Sequence, residues 1–262
     1  MNPYSPIRKV PLDYNGIQSS AFSVQMQKPN DTSFSWKEVG VVGNSYMLLP
    51  NEEVKNAAHQ VAEECKIDFV HDKTFFNGRN FVYSMRSQHV AGEVKAGDDV
   101  ALGMQFWNSY DGSKAFGFAM MLYRLVCTNG MMSKDHFNTY RFKHEPKSED
   151  WSDNLEQVVT NINNLASGTY QLDDFINNLR LLYKTAITMD VLGDIRHNHL
   201  QEIPVSIWGQ IVDRFTRTST EDHSGWDLLN ASTDLLWHKE NPTVTTYGQN
   251  AAIVDGLCRA VA

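Results

Sequence analysis

Cysteine is scarce in this chain of 262 residues. The three that are present, Cys65, Cys127 and Cys258, are scattered and form no Cys-x-x-Cys pair. Such a set predicts reduced thiols and argues against both a disulfide framework and a zinc site.

Long apolar runs are missing as well. No stretch approaches the roughly 20 residues that a membrane-spanning helix needs, and residues 1–16 lack the apolar core of a secretory signal. We therefore expect a cytoplasmic protein without a membrane partner. Its 42% hydrophobic and 21% charged residues are typical of a soluble globular chain.

Recognised catalytic motifs are also absent. The sequence holds none of GxSxG, HExxH, GxxxxGK[ST] and GxGxxG. The pair His197 and His199 has no Cys or acidic partner at a metal-ligand spacing. The expectation is that the chain is not an enzyme and uses neither a cofactor nor a metal.

Basic residues are few in the second half of the chain. Residues 1–147 carry 16 Lys and Arg against 15 Asp and Glu, a net charge of +1, whereas residues 148–262 carry 7 against 16, a net charge of −9. A total charge of −8 disfavours nucleic-acid binding, but here the acid is concentrated in one half. Two functional regions are therefore predicted.

The spacing of apolar residues predicts an α+β fold, in which an antiparallel sheet with a packed helix is followed by a mainly helical C-terminal region. Residues 1–35 are predicted to form an irregular arm, because they are rich in Pro, Ser and Asn. An α+β sheet domain is predicted over residues 36–147, and an acidic helical region over residues 148–262.

Individual elements follow from the same patterns. In the sheet domain we predict strands at 36–42 and 45–50, a helix over 51–65 capped by Asn51, and strands at 67–74, 80–88, 100–107 and 115–125. In the helical region, apolar residues at helical spacing predict helices over 151–165, 172–183, 204–216 and 225–237.

Arg124 lies at the end of a strongly apolar strand. Its planar fork suits phosphate oxygens at the end of a sheet. The alternative is a structural arginine in an ion pair with an acidic residue of the helical region. The residues Thr128-Asn129-Gly130 that follow predict a strand-to-helix junction with left-handed backbone, for which Ser133 supplies the cap, or a simple turn.

The most basic part of the chain mixes cations with rings. It comprises Lys134, His136, Phe137, Tyr140, Arg141, Phe142, Lys143, His144 and Lys147. Such a mixture suits single-stranded nucleic acid, because cations contact phosphates and rings stack on bases. The alternative is an amphipathic strand whose rings pack inward and whose cations are only hydrated, and the sequence leaves both interpretations open.

Two stretches carry a resemblance to a known family. They are Asn108-Ser109-Tyr110-Asp111-Gly112 with Arg124-Leu125-Val126-Cys127-Thr128-Asn129-Gly130-Met131, and Trp226-Asp227-Leu228-Leu229-Asn230-Ala231-Ser232-Thr233-Asp234. Their order and spacing resemble the phage/plasmid-like proteins, a family of unknown function on mobile elements, over residues 51–236. The resemblance implies a phage or plasmid protein in the host cytoplasm. The predicted sheet is also similar to single-strand annealing proteins of the Red-beta and Erf kind, at the level of fold alone.

These observations together give the expected function. The chain is predicted to be a phage-encoded single-stranded DNA-binding protein, a recombination or annealing factor that acts as an oligomer. Arg124, Lys134, Arg141 and Lys143 would contact phosphates, and Tyr140 and Phe142 would stack on bases. The alternative is a protein-interaction factor that inhibits or redirects a host nucleic-acid enzyme, or that joins a host or phage replication or recombination protein.

Overall fold

The computed structural model of the chain describes residues 1–28, 35–126, 129–135, 137, 139–144, 160, 170–218, 223–239 and 244–261. The α+β class is confirmed. The elements are β1 Ile7–Tyr14, β2 Ile17–Gln27, β3 Trp36–Gly43, α1 Asn51–Glu64, β4 Phe69–Phe76, β5 Asn80–Lys95, β6 Asp98–Ser109, β7 Phe116–Arg124, β8 Asn129–Met132, β9 Thr139–Phe142, α2 Tyr170–Lys184, α3 Met189–Asn198, α4 Val205–Thr218, α5 Gly225–Trp237 and α6 Val244–Val261.

The strands form two antiparallel sheets. One has the order β1-β2-β3, and in the other β4-β5-β6-β7-β8 are successive neighbours while β9 also pairs with β7. The chain divides into two compact units. The first comprises Met1–Met85, Met104–Ala119 and Thr139–Ile162, and the second comprises Arg86–Gly103, Met120–Asn138 and Asn163–Ala262.

In the first unit the chain begins with a β-hairpin. β1 pairs with β2, and β2 with β3. Asn15 and Gly16 join the first two strands with φ angles of 53° and 79°, and two positive φ values in succession favour a tight hairpin turn. The irregular arm predicted over residues 1–35 is therefore wrong for the described residues 1–28, because the Asn-Gly turn signal outweighs their polar composition.

Helix α1 confirms the helix predicted over 51–65. Its buried face is Val54, Ala57, Ala58, Val61 and Ala62. The predicted cap is wrong, because Pro50 occupies the N-cap position. Instead, the backbone N–H of Asn51 donates to the hydroxyl of Tyr110 at 3.0 Å. The strand predicted at 45–50 does not form.

In the second unit, helix α5 forms the centre of the core. It begins with a capping box between Ser224 and Asp227 and buries Trp226, Leu228, Leu229, Leu236 and Trp237. It packs against α2, α4, α6 and β8. The helices predicted over 172–183, 204–216 and 225–237 are confirmed as α2, α4 and α5. The helix predicted over 151–165 falls on residues that, apart from Thr160, are outside the described ones.

Strand β8 differs from its prediction. Asn129 and Gly130 belong to a strand, with neither residue at a positive φ. The described residues 131–135 continue this strand and then turn, instead of starting a helix. Gly130 is needed for a close approach, since a Cβ added there would lie 2.6 Å from the ring of Trp237. Ser133 does not cap a helix, because its hydroxyl donates to Asp255 at 2.5 Å.

The backbone of β8 is hydrogen-bonded by a side chain of α6. Asn250 Oδ1 accepts from the N–H of Met132 at 3.0 Å, and Asn250 Nδ2 donates to the carbonyl of Gly130 at 3.0 Å. One buried amide thus makes the two bonds that a neighbouring strand would make.

Among the described residues, no helix is long and apolar enough to cross a membrane.

Candidate functional site

Two stretches far apart in the sequence meet at a cleft of about 280 Å³ in the second unit. Arg124 ends β7 and Asn129 begins β8, while α5 supplies Asp227, Asn230, Ala231 and Asp234 and α4 supplies Arg214. We call this the Arg124 cleft. All of its lining except Arg214 comes from residues 124–131 and 226–234, the segments that were singled out in the sequence.

Arg124 is bound by the carboxylate of Asp98 through both oxygens. Nε donates to Oδ1 at 2.6 Å, and Nη2 donates to Oδ2 at 2.7 Å. The indole Nε1 of Trp226 donates to the same Oδ2 at 2.9 Å. Burial by itself would raise the pKa of Asp98, but the hydrogen bonds from Arg124 and Trp226 and the charge of Arg124 outweigh it and lower the pKa.

This geometry supports the structural interpretation of Arg124. Its partner is the first residue of β6, however, and not an acid of the helical region. Asp98 is 2% exposed, so losing either partner would leave a charge without compensation in a largely buried place. The Arg124 side chain keeps 19% of its surface exposed and contributes that part to the cleft.

A second ion pair belongs to the cleft lining. Nη2 of Arg214 lies 2.5 Å from Oδ2 of Asp234. Nε2 of His238 lies 3.7 Å from Oδ1 of Asp234 and 2.9 Å from Oδ1 of Asn129. Each guanidinium of the cleft therefore has a carboxylate beside it, and Asp227 adds a further negative charge.

Asn230 leaves one buried acceptor unused. Its Nδ2 donates to the carbonyl of Trp226 at 2.8 Å, whereas its Oδ1 is buried and has no hydrogen-bond partner in the described part of the chain. An unsatisfied buried acceptor costs about 1–3 kcal/mol. A ligand that donates a hydrogen bond to this oxygen would recover that cost.

In the first unit, four of the predicted site residues follow one another on and after β9. Tyr140 and Phe142 are half-buried, whereas Arg141 and Lys143 are exposed. The rings pair across to β7, where Phe118 lies opposite Tyr140 and Phe116 opposite Phe142. Their ring centres are 6.0 and 5.6 Å apart. The strand therefore presents rings partly covered by the sheet and cations on the alternate positions.

Other members of the basic stretch are used by the fold. Phe137 is 1% exposed and contacts the ring of Phe175 edge-on at 5.4 Å. His144 is stacked on Tyr46 at 4.5 Å, and burial lowers its pKa. Lys134, predicted to contact phosphate, is exposed, and its backbone N–H donates to Asp255 at 2.9 Å in the second unit. Cys127, Thr128, His136 and Lys147 are outside the described residues.

The Arg124 cleft includes residues that sequence reasoning did not select. Asp227, Asn230 and Asp234 are part of the family resemblance only. Their regular spacing along α5 was the available signal, since positions 227, 230, 231 and 234 share one helical face. Among the described residues, no group of three or more His, Cys, Asp and Glu is placed to hold a metal ion.

Comparison with known proteins gives a family but no characterised relative. No curated protein and no solved structure matches the chain. The model of one family, described as a domain of unknown function, DUF932, matches residues 38–255. This range holds both segments that line the Arg124 cleft as well as strand β9. The chain therefore belongs to the DUF932 family of domains of unknown function.

Proposed function

We propose that the chain is a single-stranded DNA-binding protein of a phage or plasmid, and that β9 with Lys143 makes the main contact. One observation carries the proposal, which is the alternation of half-buried rings with exposed cations from Tyr140 to Lys143. Cations on a strand track phosphates, and ring surfaces left open by the sheet can stack on bases without demanding a sequence. Binding through these cations should weaken as salt is added, because each phosphate contact releases counterions from the strand.

A titration with a labelled oligonucleotide tests this contact. Fluorescence anisotropy is measured with oligo-dT at several salt concentrations, for the wild-type chain and for the double variant Arg141→Ala/Lys143→Ala. If both cations contact phosphates, the slope of log K against log salt loses about 1.4, since each contact on a single strand contributes about 0.7. The matched control is Lys28→Ala/Lys37→Ala, which removes two exposed lysines of the same unit.

The rings are tested separately with leucine. Tyr140→Leu and Phe142→Leu keep an apolar side chain against Phe118 and Phe116 but remove the aromatic surface. Stacking on a base contributes about 1–3 kcal/mol, so each variant should bind the oligonucleotide more weakly while its thermal stability stays near that of the wild type. Absence of salt-dependent binding by the wild-type chain at micromolar concentration would contradict the whole proposal.

In this proposal the protein serves recombination or annealing in the host cytoplasm and acts as an oligomer. Annealing is measured by energy transfer between complementary labelled strands, and assembly by light scattering after gel filtration with and without oligonucleotide. Accelerated annealing that requires Arg141 and Lys143 supports it. Binding without any acceleration restricts the function to strand protection.

A second function is favoured by exposed acids in the helical part of the second unit. Asp173 and Asp174 on α2, Asp190 and Asp194 on α3, and Glu202 between α3 and α4 are all exposed. A surface rich in carboxylates can present negative charge, as nucleic acid does, toward a basic partner. We therefore also propose that the chain inhibits or redirects a nucleic-acid enzyme of its host. A host protein that remains bound after nuclease treatment of the lysate favours this function over DNA binding.

A further inference from the structure

We propose that the Arg124 cleft binds a nucleobase, either in a free nucleoside or as one base of a bound strand. The second case rests on the proposed DNA binding, whereas the first does not. The cleft lies wholly in the second unit, and β9 belongs to the first. Base binding at this cleft can therefore be measured independently of the contact at β9.

The charges of the cleft favour a neutral ligand. Arg124 is paired with Asp98, and Arg214 is paired with Asp234. Asp227 also lines the cleft. The two arginines of the cleft are therefore accompanied by three carboxylates, those of Asp98, Asp227 and Asp234. A phosphate or another anion would place a second negative charge beside a guanidinium that already has a carboxylate partner, and it would also face Asp227. A nucleobase carries no formal charge and leaves both ion pairs in place.

The hydrogen-bonding groups of the cleft are mixed in the way that a base requires. Guanidinium groups only donate, carboxylates only accept, and Asn230 brings a buried acceptor that has no partner in the described part of the chain. Nucleobases carry donors and acceptors side by side on the same edge. A base can therefore donate to the carboxylates of the cleft while it accepts from Arg214.

Size and shape agree with one base. A volume of about 280 Å³ is at the small end of ligand pockets, which suits a single base or nucleoside and not a longer piece of strand. The guanidinium of Arg124 is fixed by Asp98 and lies over the ring of Trp226, with its central carbon 5.6 Å from the ring centre. A guanidinium plane held in this way is a surface on which bases stack.

Arg214 and Arg217 provide a matched pair of variants. Both are on α4 and each makes an ion pair, Arg214 with Asp234 at 2.5 Å and Arg217 with Asp213 at 3.0 Å. Only Arg214 lines the cleft. Arg214→Met and Arg217→Met remove the same charge and keep a similar stem, and both should fold, because exposed ion pairs contribute little to stability.

The experiment is a calorimetric titration of the full chain with adenosine, guanosine, cytidine and thymidine, and separately with inorganic phosphate and with glycine. At least one nucleoside should bind the wild-type chain, and the affinity should fall roughly 10- to 100-fold in Arg214→Met but not in Arg217→Met. A measurement that needs no variant is hydrogen exchange, in which the bound nucleoside should slow exchange over residues 226–234.

Three results would overturn the inference. They are no nucleoside binding at millimolar concentration, binding of phosphate or glycine without any nucleoside, and equal affinity in the two variants. Oligonucleotide binding that needs Arg141 and Lys143 without nucleoside binding leaves the proposed function standing and removes this inference. Nucleoside binding without oligonucleotide binding does the reverse and identifies the free nucleoside as the ligand.

Discussion

Replacing Asp98 by Asn should destabilise the second unit strongly, because one carboxylate holds both Arg124 and Trp226. Asn has the same shape but offers only one acceptor oxygen. If its amide nitrogen takes the place of Oδ2, Nη2 of Arg124 and Nε1 of Trp226 both lose their acceptor. If the nitrogen takes the place of Oδ1, Nε of Arg124 loses its acceptor instead. Either way the guanidinium loses its counter-charge.

The cost follows from the burial of the pair. Breaking a buried ion pair on one side costs about 3–5 kcal/mol, and the partial exposure of Arg124 places Asp98→Asn at the lower limit, about 3 kcal/mol. For a chain of this size that corresponds to a fall in Tm of about 6–12 °C by calorimetry. The control is Asp99→Asn at the next residue. Asp99 is half-exposed, so this substitution should change the free energy of unfolding by less than about 0.5 kcal/mol.

Acid provides a second test of the same pair. Because the pKa of Asp98 is lower in the folded chain, its contribution is present above the unfolded-state pKa of about 3.9 and is lost as the pH falls through the folded-state pKa. The difference in Tm between wild type and Asp98→Asn should therefore shrink below about pH 4. Equal Tm values for Asp98→Asn and Asp99→Asn at pH 7 would refute the reasoning.

Three further predictions concern other parts of the second unit. Gly130→Ala should lower the free energy of unfolding, measured with urea, by about 1–3 kcal/mol, because the new Cβ meets the ring of Trp237. Its control is Gly193→Ala on α3, where a Cβ meets nothing within 4 Å, so the free energy of unfolding should rise by about 0.5–1 kcal/mol. Asn250→Ala leaves a buried N–H and a buried carbonyl of β8 unpaired, so it should lower the free energy of unfolding by about 2–6 kcal/mol and speed hydrogen exchange at the Met132 amide. An unchanged exchange rate at Met132 would contradict this prediction. Burial raises the pKa of Cys258 to about 12, so iodoacetamide at pH 8 should modify it only after denaturation, as peptide mass spectrometry will show.

The long elements with regular apolar spacing could be predicted from the sequence. The spacing alone places α5 at its observed bounds, and α1 ends within a residue of its prediction. The prediction of a turn or strand-to-helix junction at Asn129-Gly130 failed, because glycine can serve either a turn or a close packing contact. Asn129-Gly130 is a typical turn pair, but here the glycine gives room to Trp237, which lies more than a hundred residues later in the chain.

The candidate site was only partly predictable for the same reason. Arg124 stood out because it follows an apolar strand, but nothing local indicates that its partner is Asp98, 26 residues earlier, or that a tryptophan of α5 shares that carboxylate. Side-chain pairing across the fold depends on the register of β6 against β7 and on the docking of α5. Neither is encoded in a short motif.

The amide of Asn250 also has a consequence for synthesis of the chain. Met132 is made 118 residues before the side chain that completes its hydrogen bonding. At roughly 5–20 residues per second, the nascent chain carries an incomplete edge strand for about 6–24 s. During that interval the strand lacks the two hydrogen bonds from Asn250, and its edge is open to pairing with the same strand of another nascent copy.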